Sequence, residues 1–251
     1  MSEATTVLIS SRDRPLYLWA CLDALYRGTQ APHRFVLLDM ASADPLVAQV
    51  INGFERRGMF DQVIHMPRND SNLLAEYIFR SLPELSPMFA YVESDVVVEV
   101  EQPCWLARMT ALMHSHPLLA MLGSAVDRCD FVDPTRVAPL RRDENEARWR
   151  SLIKADSPER WQDTAAANGE ELFRPHNPAG RLLLLRTEAV TEVGLASDGQ
   201  LDEKFRARGY ETAIATKVRH RHLSLTQVFD YPDYDLQTRD RYMSLTQGPN
   251  I

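Results

Sequence analysis

The feature that most constrains this chain is an alternation in its first half: short apolar runs, several closing on an acid, each followed by a stretch of helical periodicity. That order is the signature of βαβ units wound around a largely parallel sheet. Thr5 to Ser10 reads as a buried strand. Asp13 then reads as a helix N-cap with Pro15 in the first turn, and Leu18, Leu22, Leu25 and Tyr26 recur at helical spacing up to Gly28. RFVLLD (34–39) repeats the strand pattern and ends on Asp39, with helical Val47, Val50, Ile51 and Phe54 behind it. Gln62 to Met66 predicts a third strand, Asn72 to Leu82 a third helix, and MFAYVE (88–93) a fourth strand ending on Glu93. A helix over Pro103 to His114 and a strand over Leu118 to Gly123 complete this half. Acids at strand ends matter because ligands of open α/β sheets bind outside the carboxyl ends of the strands.

Beyond Gly123 the pattern loosens. Residues 127–178 hold scattered prolines, two amphipathic helical patterns and few strand signals, and read as an insertion. Its Trp149 and Trp161 suit helix packing or stacking on a ligand, and Asn168 and His176 are polar groups that could hydrogen-bond one. Order returns with a strand over Leu182 to Leu185, a helix around Ala189 and Val190 ended by Gly194, a helix from Leu201 to Arg208 capped by Gly209, and a strand from Tyr210 to Thr216. Residues 225–251 mix Asp, Tyr and Pro without periodicity and read as an extended arm.

A length of 251 residues suits one α/β domain with an embellishment. Acids outnumber Lys and Arg by 35 to 28, a net charge of −7, which argues against a broad nucleic-acid footprint. The basic cluster Arg141, Arg142, Arg148 and Arg150 alternates with Asp143, Glu144 and Glu146, as on a solvated helix face. Cys21, Cys104 and Cys129 are odd in number and lack C-x-x-C spacing, so a reducing compartment is expected rather than a disulfide framework or a zinc knuckle. The opening Met1-Ser2-Glu3-Ala4 has no basic n-region and no apolar run is long enough to cross a bilayer; the expected location is the cytoplasm, with peripheral membrane contact left open.

Four groups of residues carry chemistry. Glu93-Ser94-Asp95 is an acid-x-acid triplet at a strand end, suited to a hard cation and the phosphate oxygens it brings, and equally to a solvated turn. Asp39 can accept a hydrogen bond from a nucleobase or ribose, or close an Asx turn with the small residues after it. Asp198 precedes Gly199 at the expected start of a helix, where an acid caps whether or not it has a catalytic duty. Asp202, one turn on, reads as an exposed helix position. Arg219-His220-Arg221-His222 joins imidazoles that can bind a metal to guanidinium groups that suit a diphosphate, or is a run of surface polar residues.

Taken in order, these pieces resemble family 2 glycosyltransferases. The resemblance rests on ISSRDRP (9–15), CLDAL (21–25) and FVLLDMASAD (35–44), then Glu93-Ser94-Asp95 in the place of the D-x-D motif, GRLLLLR (180–186), Asp198 with Leu201, Lys204 and Gly209-Tyr210 as the later acidic motif, and His220 as the closing histidine. It covers about Thr5 to Ser224, the insertion unmatched, and departs from the pattern at Glu93, Met40 and Ser197.

The resemblance implies a GT-A fold: a Rossmann-like α/β/α sandwich with a mainly parallel central sheet and an acceptor-side insertion. Residues 1–123 would be the nucleotide-sugar-binding half, 124–224 the acceptor-binding and catalytic half, and 225–251 the arm. It implies transfer of a sugar from a nucleotide-diphosphate sugar to a hydroxyl acceptor, with Mn²⁺ or Mg²⁺ as cofactor and inversion at the anomeric centre. The acceptor would be a glycan, a lipid-linked saccharide or a small molecule. Carried over, Ser10, Arg12, Asp39, Glu93 and Asp95 bind the donor, Asp95 and His220 (His222 as the alternative) hold the metal, and Asp198 is the general base. Two rivals share the fold: a sugar-nucleotide nucleotidyltransferase, whose Gly-rich phosphate loop has no counterpart in SSRDRP (10–15), and a non-catalytic nucleotide-sugar-binding protein.

Overall fold

Val7, Ile9, Leu37, Ala90, Val92, Leu182 and Leu184 pack into one apolar cluster, while their strand neighbours Leu8, Leu38, Phe89, Leu183 and Leu185 pack into another. Strands that are apolar on both faces must be covered on both, which is why helices lie on either side of the sheet. The computed structural model describes residues 4–127, 130, 134–140, 145–147, 150, 156, 168–176, 178, 181–196 and 198–223, excepting the side chains of 136, 137, 140 and 198.

The elements run β1 (Thr5–Ser11), α1 (Pro15–Gly28), β2 (His33–Asp39), α2 (Pro45–Glu55), β3 (Phe60–His65), α3 (Ser71–Ser81), β4 (Met88–Glu93), β5 (Val96–Val98), α4 (Trp105–Ser115) and β6 (Leu119–Val126). After them come a single turn α5 (Pro134–Val137), β7 (Leu172–Phe173), β8 (Leu182–Arg186), α6 (Thr187–Val193), α7 (Asp198–Ala207) and β9 (Glu211–His222). Helices α1, α2 and α4 supply the first cluster, through Leu18, Leu22, Ile51, Phe54, Trp105 and Met109. Helices α3, α6 and α7 supply the second, through Ile78, Val190, Leu201 and Phe205. The result is the expected α/β/α sandwich.

The sheet order is β3-β2-β1-β4-β8-β6-β9-β5, with β7 on β9. Its N-terminal half, β3-β2-β1-β4, is parallel throughout. β8 enters antiparallel between β4 and β6, and β6 and β9 resume a parallel pair. The expected strand over Tyr210 to Thr216 is longer than its periodicity suggests. Its register against β6 jumps from Ser124/Ala215 to Ala125/Arg219, so three extra residues bulge out, and the strand then continues through Arg219 to His222 to pair antiparallel with β5.

Local chemistry explains the helix starts. Asp44 caps α2 by accepting from Leu46 N at 2.9 Å, with Pro45 in the first turn. Asp70 caps α3 by accepting from Asn72 N and Leu73 N. The expected cap of α1 is corrected: Arg14, in the left-handed region at φ 53°, holds the N-cap position, and the Asp13 carboxylate serves another loop. Of the insertion, Asn168 and His176 belong to the described residues, whereas Trp149, Trp161, Cys129 and the arm 225–251 lie outside them. Among the described residues, no helix is long and apolar enough to cross a membrane.

Candidate functional site

The β4–β5 turn carries the acidic triplet to the carboxyl edge of the sheet. Glu93 is the last residue of β4, and Asp95 the last before β5. In the β5–β9 register Val96 faces His222, and Leu223 N donates to Asp95 O at 2.9 Å. His222 therefore lies beside Asp95, Nε2 to Oδ2 at 3.6 Å. Glu93, Asp95 and His222 each offer a ligand atom, all within 4.8 Å of one another. Asp95 Oδ1 is buried without a hydrogen-bond partner, a costly state for a carboxylate oxygen unless a ligand completes it. Two carboxylates and an imidazole are a donor set that fits Mn²⁺ and, less fully, Mg²⁺.

Buried and half-buried charges hold this cluster. The Asp130 carboxylate is fully buried; Oδ2 accepts from the His222 backbone N–H at 2.7 Å, and Oδ1 accepts from Arg221 Nε at 2.7 Å. On the open side, Arg14 Nη1 stands 3.9 Å from Asp95 Oδ2, and Arg181 Nε donates to His222 Nε2. Nothing in the sequence patterning singled out Asp130, because its segment has no periodicity. Arg181 stood within the quoted GRLLLLR run, without an assigned role.

His220, preferred from sequence as the metal-side histidine, does not reach the acids. It pairs opposite Val98, two residues further along β5, and its Nδ1 shares a 2.7 Å hydrogen bond with Ser124 Oγ. Burial first, and then the Arg181 charge, pulls its pKa down to about 3. His222 is the histidine that the fold brings to Asp95.

Next to the cluster, a cleft of about 740 Å³ is lined by Ser10, Arg12, Arg14, Asp70, Glu93 and Asp95, among others. Ser10 Oγ and Tyr91 OH are hydrogen-bonded at 2.8 Å. Burial raises the Tyr91 phenol to about 12, so it stays protonated. Arg12 is largely exposed at the rim, 3.6 Å from Asp13. The Asp13 carboxylate accepts from Ala43 N and Asp44 N, and its own N–H donates to Ser42 Oγ, which laces the β1–α1 loop to the β2–α2 loop. Asp13, Arg14 and Ala41 all have positive φ, so backbone strain is concentrated where these two loops meet the cleft.

Asp39, at the end of β2, is buried and is not among the residues lining the cleft. Its Oδ1 closes the Asx turn to Ser42 N at 3.2 Å, and its Oδ2 faces His65 Nδ1 at 3.0 Å. Of the two alternatives read from sequence, the turn is made, and the second oxygen faces an imidazole that is 66% exposed.

A second cavity of about 600 Å³ shares Ser71, Leu74, Tyr91 and Glu93 with the first and runs over the sheet between α3 and α7. Phe89, Leu183 and Leu185 form its floor, with Gln200 and Lys204 on the α7 side. Asp198 is the first residue of α7, so the helix begins beside this cavity; its side chain lies outside the described residues.

Asp202 is corrected outright. It is 0% exposed, its Oδ1 accepts from Arg206 Nε at 2.8 Å and from Thr212 Oγ1, and its Oδ2 faces His176 Nδ1 at 3.3 Å. The helix turns this acid inward to tie α7 to the start of β9.

Neither a protein-family model nor a curated protein sequence matches this chain. Solved structures do share its fold. GalNAc-T7, solved with UDP, GalNAc and Mn²⁺, matches 87% of this chain at TM-score 0.60 and 14% identity; the match spans 43% of that longer chain. The mannosyltransferase PcManGT from Pyrobaculum calidifontis, solved with GDP-Man and Mn²⁺, matches 97% at TM-score 0.58 and 13% identity, over 70% of its own length. S. aureus TarS 1-349 matches 97% at TM-score 0.54 and 12% identity, again over 70% of its length. The chain has the GT-A fold.

Two expectations follow from the buried groups. Asp202→Asn loses the charge that meets Arg206 and turns an amide donor toward His176 or Thr212. It should lower stability by about 1.5–3 kcal/mol in urea unfolding, the range for hydrogen bonds to charged groups. His220 is neutral when buried and takes a proton more readily when unfolded, so the unfolded state binds more protons between the folded value near 3 and the ordinary imidazole value of about 6.5. Stability is fully present above pH 6.5 and falls as pH drops through that window. From pH 6.5 to 5 the loss from this group should be about 2 kcal/mol, and urea titrations of His220→Gln should show a correspondingly shallower pH slope than wild type.

Proposed function

We propose that this chain is a glycosyltransferase that moves a sugar from a nucleotide-diphosphate sugar to a hydroxyl acceptor, with a divalent cation at Glu93, Asp95 and His222. The observation that carries the reading is the meeting of these three side chains at the carboxyl edge of β4, where Glu93 and Asp95 line a cleft of about 740 Å³. The fold adds support, since GalNAc-T7 and PcManGT share it and were solved with a nucleotide and Mn²⁺.

Each part of the site has a task in this reading. Ser10 and Arg12 bracket the nucleoside at the end of β1. Asp39 takes the base or ribose through the oxygen that faces exposed His65, an imidazole that a ligand N–H or hydroxyl can displace. Glu93, Asp95 and His222 would hold the cation that the diphosphate brings with it. When bound, the cation neutralises charge on the departing nucleotide diphosphate. Arg14, 3.9 Å from Asp95, adds a fixed positive charge on the same side. The acceptor enters through the second cavity, and Asp198, at the start of α7 beside it, takes the proton from the attacking hydroxyl. A single in-line displacement of this kind inverts the anomeric centre. The acceptor is a glycan, a lipid-linked saccharide or a small molecule. The buried thiols Cys21 and Cys104 suit a reducing, cytoplasmic setting.

Thermal-shift and calorimetric titrations with UDP-, GDP- and dTDP-sugars, with and without Mn²⁺, identify the donor. Release of sugar from that donor separates an enzyme from a pure binder, and pyrophosphate release from a nucleoside triphosphate would instead mark a nucleotidyltransferase. Asp95→Ala should abolish the Mn²⁺-dependent part of donor affinity and keep the fold; unchanged affinity in Mn²⁺ would remove Asp95 from the cation site. Asp198→Asn keeps an acceptor for the first-turn N–H groups but cannot act as a base. It should keep donor affinity while lowering single-turnover transfer by roughly 10²–10⁴-fold. Near-normal transfer would leave Asp198 a helix cap.

A further inference from the structure

We propose that Arg181 is a built-in cation of the diphosphate site: its guanidinium occupies His222 Nε2 while no metal is bound, yields that nitrogen to the metal, and then serves the donor's diphosphate. The proposal rests on the cation site described above and extends it.

Three observations place Arg181 in this role. Its backbone is fixed beside the triplet, since Glu93 N donates to Arg181 O at 2.9 Å where β4 and β8 pair, Val92 opposite Leu182. Its Nε donates to His222 Nε2, the ring nitrogen that lies 3.6 Å from Asp95 Oδ2. A neutral imidazole nitrogen has one lone pair in the ring plane, so Nε2 accepts from the guanidinium or ligates a metal, and cannot do both. A metal at this cluster must therefore displace Arg181 by a side-chain rotation, with its backbone held.

The third observation is the positive charge already at the cluster: Arg14 Nη1 stands 3.9 Å from Asp95 Oδ2, and the Arg181 guanidinium donates to His222. A divalent cation alone adds two positive charges beside these guanidinium groups, and the diphosphate of a nucleotide sugar brings two negative ones. Metal and donor thus bind favourably together and less favourably apart, and linkage requires each to raise the other's affinity by the same factor. A displaced guanidinium next to the incoming diphosphate is also the donor group best matched to phosphate oxygens.

The test is binding, not turnover. Mn²⁺ alone is titrated by electron paramagnetic resonance, and UDP and GDP are titrated by calorimetry with and without Mn²⁺, for wild type, Arg181→Gln and Arg181→Lys. Removing the competitor should make Arg181→Gln bind Mn²⁺ alone about tenfold more tightly. Removing the phosphate contact should make it bind the metal-free nucleotide about tenfold more weakly, each near 1.4 kcal/mol. Arg181→Lys, which keeps the charge, should restore part of the nucleotide affinity and show that folding is intact. Opposite shifts for the two ligands support the proposal, because a merely structural residue would weaken both. Unchanged or weaker Mn²⁺ binding in Arg181→Gln overturns it. If wild type binds no Mn²⁺ at all, the cation reading itself fails; metal-free nucleotide affinity then decides on Arg181, and no loss in Arg181→Gln overturns its role there too.

Discussion

The site depends on a three-residue strand. Val96–Val98 is too short to pair stably on its own, yet its register against β9 sets which histidine meets Asp95. Burial holds it: Val96 is 0% and Val98 3% exposed, and both belong to the cluster under α1 and α4. Gly28, the last residue of α1, packs closely against the strand. A Cβ there would stand 3.2 Å from Val98 Cγ2 and 3.4 Å from Glu99 O, so a side chain at this position would require Val98 to give by a few tenths of an ångström. From the other side, Asp130 grips the His222 N–H and the Arg221 guanidinium. A glycine contact on one face and a buried carboxylate on the other thus fix the position of His222 to within a residue.

The same fixing explains why so much charge gathers in little space. Burying a carboxylate such as Asp95, 7% exposed, loses hydration that positive charge or hydrogen-bond donors must offset. Arg14 supplies that in part, and the orphaned Oδ1 marks what it leaves over. Asp130 and Asp202 solve the same problem differently. Each is met by Arg and backbone or hydroxyl donors, Asp130 holding the end of β9 and Asp202 tying its start to α7. Carboxylates with complete shells do structural work, whereas one with an incomplete shell, at the mouth of a cleft, has capacity left for a ligand.

What was legible in the sequence follows the physics of burial. Strand ends at Asp39 and Glu93 stood out because both faces of their strands are buried, which produces unbroken apolar runs before an acid. The choice between His220 and His222 was not legible. Residues two apart on a strand point to the same side, so alternation treats them alike, and only the register settles which lies next to Asp95. That register is set by a three-residue bulge at 216–218 that apolar periodicity does not report. Asp13 misled for a related reason: Asp-x-Pro is a sound cap signal, but the left-handed turn at Asp13 and Arg14 re-aims its carboxylate across to the neighbouring loop. Asp202 carried an i,i+4 partner in Arg206, which suits a surface ion pair as well as a buried one. Thr212, ten residues on, decides between them.

An identity of 12–14% to structures of the same fold carries the fold and not the site, whose chemistry rests on this chain's own residues. Glu93 is the residue on which that argument turns. It closes β4, gives its N–H to Arg181, contributes to the acid–imidazole cluster and lines both cavities. Tyr91, two residues earlier and therefore on the same side of the strand, lines both as well. One edge of β4 is thus the common wall of a polar cleft beside a candidate cation cluster and an apolar-floored cavity beside the start of α7. Where the resembling family carries Asp, Glu93 sets its carboxylate one methylene further from the same backbone, and from there it still comes within 4.8 Å of ligand atoms of Asp95 and His222.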